Sequence, residues 1–237
     1  LYAALMSREK SGKRKIDQSD RDYLLQCCRE MWRYFETFIG PENHYLPPDN
    51  FQEQPPVGLA RRTSPTNIGL CLLSALCAMD LKIATDYAAM GVIENVLCTI
   101  ERLPKWKGHL YNWYDTATLK SLEPRYVSTV DSGNLAACLI TLREGLLEYG
   151  RPDLAARADA LLRQMDFRPL YDESRRLFYI GINVDREEPS SGWYDLLASE
   201  ARLSGYVAIA KGDVPRRHWR RLGRSLVQKD GFRGMAS

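Results

Sequence analysis

The residues best suited to chemistry gather in one stretch. Tyr111-Asn112-Trp113-Tyr114-Asp115 and Tyr126-Val127-Ser128-Thr129-Val130-Asp131-Ser132-Gly133-Asn134 set aromatic rings, carboxylates and small polar groups close together. A further carboxylate, Glu200, follows Trp193-Tyr194-Asp195. Aromatic faces suit the apolar faces of sugar rings. Glycoside chemistry needs two carboxyl groups, one to protonate the leaving oxygen and one to attack or to activate water. Glu200 and Asp131 are the candidate pair. Arg61, Arg62, Tyr111, Trp113, Tyr114, Asp115, Tyr126, Ser132, Asn134, Trp193, Tyr194 and Asp195 are the candidate binding residues.

Each of these also has a structural use. Asn67, Asp131 and Asp195 fall where helices should begin, and Asn and Asp are common there. Glu200 reads as a carboxylate within an apolar helix, where it needs a partner or a purpose. An ion pair with Arg202, or with an arginine of a neighbouring unit, would satisfy it. Loop aromatics can pin long loops to a core. Arg61 and Arg62 can bind hydroxyls, an anion or a nearby carboxylate.

The chain has 237 residues, 45% apolar and 27% charged, which suits a sizeable globular core. A net charge of +3, from 33 basic and 30 acidic residues, argues against nucleic acid as partner. The basic runs at 10–15 and 216–224 read as a solvated tail and a charged helix face. Six cysteines lie in apolar, helix-like runs without a C-x-x-C pair, and read as reduced core thiols of a cytoplasmic compartment. Three scattered histidines make a metal site unexpected, and no cofactor is expected. No run of 18 apolar residues is present. Residues 1–19 read as a linker or docked arm, and both ends look cut from something longer.

The elements that must position these residues are helical. Apolar spacing predicts amphipathic helices over 20–38, 86–103 and 152–165, with Ser19 or Asp20 capping the first. It predicts more buried helices over 67–81, 131–149 and 195–210. A short helix over 215–222 and extended chain complete the run, and 177–184 looks strand-like. The two helix types each recur about every 64 to 66 residues. Each unit is an amphipathic helix, a long loop, a buried helix and a short link. That is an array of αα-hairpins, with the buried helices inside and all three long loops at their N-termini. The expected fold is all-α, an (α/α)6-type toroid with about half of the ring in this chain. Truncation, dimeric completion or an open solenoid would each account for three hairpins.

Gly108-His109-Leu110-Tyr111-Asn112-Trp113-Tyr114-Asp115 and Pro124-Arg125-Tyr126-Val127-Ser128-Thr129-Val130-Asp131-Ser132-Gly133-Asn134-Leu135 resemble the glucoamylase-like domain of cyclic β-1,2-glucan synthases. So do Arg61-Arg62-Thr63-Ser64-Pro65-Thr66-Asn67-Ile68-Gly69, the stretch 194–203, and Ala208-Ile209-Ala210-Lys211-Gly212-Asp213-Val214-Pro215. The resemblance spans 20–237. It implies a toroid acting on β-1,2-glucan, by ring-closing transglycosylation or by hydrolysis. It also implies a larger inner-membrane polypeptide as partner, with this segment a soluble domain on the cytoplasmic face. Glu200 matches an acid-catalyst position and Asp131 a donor-side cleft position. The family's further inner helices, with the expected nucleophile, follow the point where this chain stops, so the 237 residues alone are expected to be inactive. A non-catalytic glucan-binding or scaffold piece is the alternative.

Overall fold

The computed structural model describes residues 16–229 and 231–236. Most of the expected arm, with the basic run 10–15, lies outside the described residues.

Seven helices are described: α1 (Gln18–Phe38), α2 (Pro65–Asp80), α3 (Asp86–Arg102), α4 (Thr129–Glu148), α5 (Pro152–Gln164), α6 (Arg202–Lys211) and α7 (Arg217–Arg221). Short polar side chains start four of them. Asp17, rather than Ser19 or Asp20, caps α1, accepting from the Asp20 amide at 2.8 Å. Ser64 caps α2 and Ser128 caps α4, each accepting from the amide three residues on at 3.2 Å. Thr85 caps α3 in the same way. Asn67 and Asp131, expected as caps or first-turn residues, are those third residues, so their own side chains are free for other partners. Pro152 opens α5, where its missing N–H costs nothing. Gly212 closes α6 at φ +82, a conformation that suits a residue without a Cβ.

Two layers result. α2, α4 and α6 form an inner row, with α4 packed against both neighbours; α1 lies on α2, α5 on α4, and α3 on both α2 and α5. Gly69 faces Leu135 and Cys138, while Gly145 faces Leu76, so α2 and α4 run in the same direction. Ile68, Leu72, Met79, Ile93, Leu97 and Leu139 are fully buried between the layers. Each such side chain contributes about 1.5–3 kcal/mol. The contact of α4 with α6 depends on Gly133. A Cβ there would lie 2.0 Å from the Ser204 Oγ and 2.6 Å from its backbone.

The expected hairpin array is therefore present, with two corrections. The first concerns strands, which an all-α fold would lack. Short pairings zip the three loops together. Arg62–Thr63, just ahead of α2, pairs with Tyr114–Asp115; Tyr126–Ser128, just ahead of α4, pairs with Gly181–Asn183. The strand-like stretch 177–184 is Leu177–Tyr179 followed by Gly181–Asn183. Leu177–Tyr179 pairs with both Tyr171–Asp172 and Trp193–Tyr194. The extended end forms a hairpin, Leu226–Lys229 with Phe232–Met235. The pairing is local to the loops because each strand carries only enough backbone to satisfy the chain entering an inner helix.

The second correction is the last inner helix, which starts at Arg202 instead of 195. Residues 193–197 are already committed. Trp193–Tyr194 pairs as a strand, the Asp195 carbonyl accepts from the Gly223 amide at 2.7 Å, and the Leu197 amide donates to the Gly223 carbonyl at 3.0 Å. Asp195 is thus not at a helix start, and Glu200 is not within a helix.

Among the cysteines, Cys71 and Cys138 are buried and Cys27 and Cys28 partly so, but Cys77 and Cys98 are exposed, contrary to the core expectation. Among the described residues no helix is long and apolar enough to cross a membrane, and no group of three or more His, Cys, Asp or Glu is placed to hold a metal ion.

Candidate functional site

Asp131 is held by two neighbouring units. Its Oδ1 accepts from the Thr66 hydroxyl at 2.6 Å, across the α2–α4 junction. The Asn112 amide, in the orientation that satisfies both its ends, donates to Oδ2 at 3.1 Å. The Asn134 amide donates to the Thr66 hydroxyl at 3.1 Å. Bonds to a carboxylate of this kind contribute about 1.5–3 kcal/mol each. The carboxylate is therefore fixed in position while remaining partly exposed.

From Asn112 the network continues outward. Its oxygen accepts from the Trp113 indole at 3.0 Å. The Arg62 guanidinium lies over the Trp113 ring, 4.2 Å from its centre. Arg62 pairs with Asp49 at 3.0 Å, and Asp49 also accepts from the Asn67 amide at 3.2 Å. Arg61 is exposed, with no ion pair among the described residues.

Glu200 sits in the turn before α6, exposed, with no hydrogen bond or ion pair from its side chain among the described residues. The expected pair with Arg202 is not formed, because the turn leaves Glu200 in solvent. It lines two open depressions. One, of about 490 Å³, is shared with Trp193, Tyr194 and Asp195; the other, of about 390 Å³, is shared with Asn134 and Arg202. Asn134 thereby joins the Asp131 network to the surface around Glu200. Tyr194 makes a second link. Burial, then the negative charge of Glu200, with Tyr126 and Asp131 adding to it, pushes its hydroxyl above the ordinary phenol range. Tyr194 lines the same depression as Glu200.

Several expected binding residues are turned to other uses. Tyr114 is fully buried; its hydroxyl donates to the Pro104 carbonyl at 2.6 Å and accepts from the Tyr111 amide at 2.8 Å. Its ring has no face for a ligand and pins the loop to the core. Tyr111 is 6% exposed and packs on it. Asp115 closes its own turn, one oxygen accepting from the Ala117 and Thr118 amides and the Thr118 hydroxyl, which hold its carboxyl below the usual range. Ser132 is 2% exposed, with its hydroxyl unpartnered among the described residues. Trp193 stays partly exposed. Its indole donates to Asp172 at 3.0 Å, and the Arg175 guanidinium covers one face at 4.0 Å.

Thr66, Asn112 and Asp49 were not among the candidates. Thr66 and Asn112 lie inside the stretches 61–69 and 108–115, but spacing alone does not reveal that they meet Asp131 across 65 and 19 residues of chain. The signal was the repeat, which puts the start of α2 beside the start of α4.

No protein-family model matches the chain. It is 29% identical to the cyclic β-(1,2)-glucan synthase NdvB of Rhizobium meliloti (strain 1021), over 93% of this chain and 12% of that protein. A putative glucoamylase from Bacteroides fragilis NCTC 9343 has a similar structure, with a TM-score of 0.75 and 16% identity over 91% of this chain and 55% of that one. An endo-β-1,2-glucanase from Chitinophaga pinensis, in complex with sophorotriose and glucose, gives 0.71 and 13% over 90% and 55%. One from Talaromyces funiculosus, a mutant with β-1,2-glucan bound, gives 0.68 and 11% over 88% and 53%. The chain thus spans about an eighth of its curated relative and about half of these solved structures. Its αα-hairpin array carries the glucoamylase-like fold, and its sequence is similar to a segment of a cyclic β-1,2-glucan synthase.

Proposed function

We propose that this chain is about half of an (α/α) toroid that acts on β-1,2-glucan, by transglycosylation or by hydrolysis, within a larger synthase polypeptide. The remaining helices of that polypeptide would close the ring and supply the nucleophile. In this reading the segment works on the cytoplasmic side of an inner-membrane protein. The observation that carries the proposal is Asn134, which is bonded to the Thr66 hydroxyl that holds Asp131 and lines a depression shared with Glu200. The similarity to a glucan synthase supports the same substrate.

Glu200 suits the role of acid. Without a partner in its turn, its carboxyl is free to approach a glycosidic oxygen lying in the adjacent depression. Asp131, held by Thr66 and Asn112, suits a fixed contact on the donor side of the cleft. Among the other candidates, Tyr126, Asn134, Trp113 and Trp193 keep accessible surface, and they are the proposed sugar contacts. A glucan-binding piece without catalysis is the second reading, favoured by the open shape of the depressions around Glu200 and by the half coverage of the solved relatives.

The test is incubation of linear β-1,2-glucan with this chain and with a longer polypeptide carrying the remaining helices, products being read by chromatography. The proposal expects binding by both and turnover by the longer one. A folded longer polypeptide that leaves the glucan unchanged would overturn the enzyme reading and leave the binding one.

A further inference from the structure

Two stacks of the same composition lie in the loops. In the first, Asp49 holds Arg62 at 3.0 Å, and Arg62 lies 4.2 Å over Trp113. In the second, Arg175 lies 4.0 Å over Trp193, while Asp172 accepts from the Trp193 indole at 3.0 Å and pairs with Arg175 at 3.6 Å. The aspartates are the anchored members, with side chains 18% and 11% exposed; the arginines are 48% and 58% exposed. Asp172 is fixed further by the Ser174 and Arg175 amides and the Ser174 hydroxyl. Each indole nitrogen is also tied, Trp113 to Asn112 and Trp193 to Asp172.

The stacks sit next to different carboxylates. Trp113 reaches Asp131 through Asn112. Trp193 lines the same depression as Glu200. We propose that the two carboxylate–guanidinium–indole stacks are preset platforms for two separate glucose rings of one β-1,2-glucan chain, one beside each carboxylate, and that Arg62 and Arg175 act by backing the tryptophans instead of touching sugar. The proposal rests on the functional reading above and adds positioning residues to it.

The physical case is preorganisation. An exposed tryptophan has two rotatable bonds to freeze when a ring stacks on it, and freezing them costs affinity. Here the cation covers one face and the nitrogen is bonded, so the ring plane is set before ligand arrives.

The test is calorimetric titration of the full chain with linear β-1,2-gluco-oligosaccharides of increasing length. Affinity is expected to step up once an oligosaccharide is long enough to cover both tryptophans. Arg175→Ala should weaken binding of the long ligands about tenfold, with Arg175→Lys recovering most of it because a cation remains over the ring. The Arg175→Ala/Trp193→Ala double variant should bind as Trp193→Ala does, since the arginine acts through the indole. Arg62 and Trp113 should behave alike. Full additivity in the double variants would make the arginines direct sugar ligands and overturn the proposal. Unchanged affinity in the alanine variants would overturn it too. In both of those cases the parent chain still binds, so the functional reading stands. No binding by the parent chain overturns that reading and this one with it.

Discussion

The Thr66 hydroxyl donates to the Asp131 carboxylate at 2.6 Å, joining the first turns of two parallel inner helices. The same hydroxyl accepts from Asn134, so one threonine relays between the carboxylate and the surface shared with Glu200. A residue from one repeat thus orients the candidate carboxylate of the next.

Thr66→Val removes that bond while keeping the shape of the side chain. In a catalytically complete polypeptide, kcat/KM should fall about ten- to a hundredfold, the range given by losing one hydrogen bond to a charged group. Thr66→Ser should restore most of the activity. Steady-state kinetics on linear β-1,2-glucan measures both, and an unchanged kcat/KM in Thr66→Val would remove Thr66 from the site.

Gly133→Ala should destabilise the chain by about 1–3 kcal/mol, because the added Cβ meets Ser204 side chain and backbone at 2.0–2.6 Å. Urea denaturation gives the value. A neutral result would mean that α4 and α6 are not in contact as described.

Tyr114→Phe separates a structural aromatic from a sugar contact. It leaves the Pro104 carbonyl and Tyr111 amide without their partner in a buried setting, at a cost of about 1–3 kcal/mol for each unpaired group. Stability should drop while glucan affinity, measured below the melting range, stays the same.

His109 gives a pH signature. It is fully buried, and burial pulls its pKa from 6.5 down to about 4. The folded state keeps it neutral while the unfolded chain takes up a proton below about pH 6.5, so stability falls as pH drops from about 6.5 to about 4. The limiting loss is roughly 3 kcal/mol. Burial lowers His218 as well, with the same sign. Denaturation midpoints across that window should therefore flatten in part, and not completely, in His109→Gln.

Much of this was legible in the sequence. Starts of α1 to α5 follow from apolar spacing within two residues, because each helix buries one stripe against a neighbour. The repeat disclosed the layer order and put all three loops at one end. The start of α6 was not legible, because Leu196 and Leu197 read as helix face but are used by the pairing with Gly223. The short strands carry too few residues for a period of two to show. At the site, Asp131 stood out by its neighbours. Its partners did not, since a hydrogen bond across 65 residues leaves no local pattern. Tyr114 and Asp115 looked like ligands because burial and turn closure favour the same residue types as sugar binding.

The most direct test of the account is Glu200→Gln in the longer polypeptide, assayed on linear β-1,2-glucan with binding measured in parallel. The rate should fall about 10²–10⁴-fold with affinity nearly unchanged, as expected for loss of a general acid. A variant that retains the full rate would contradict it.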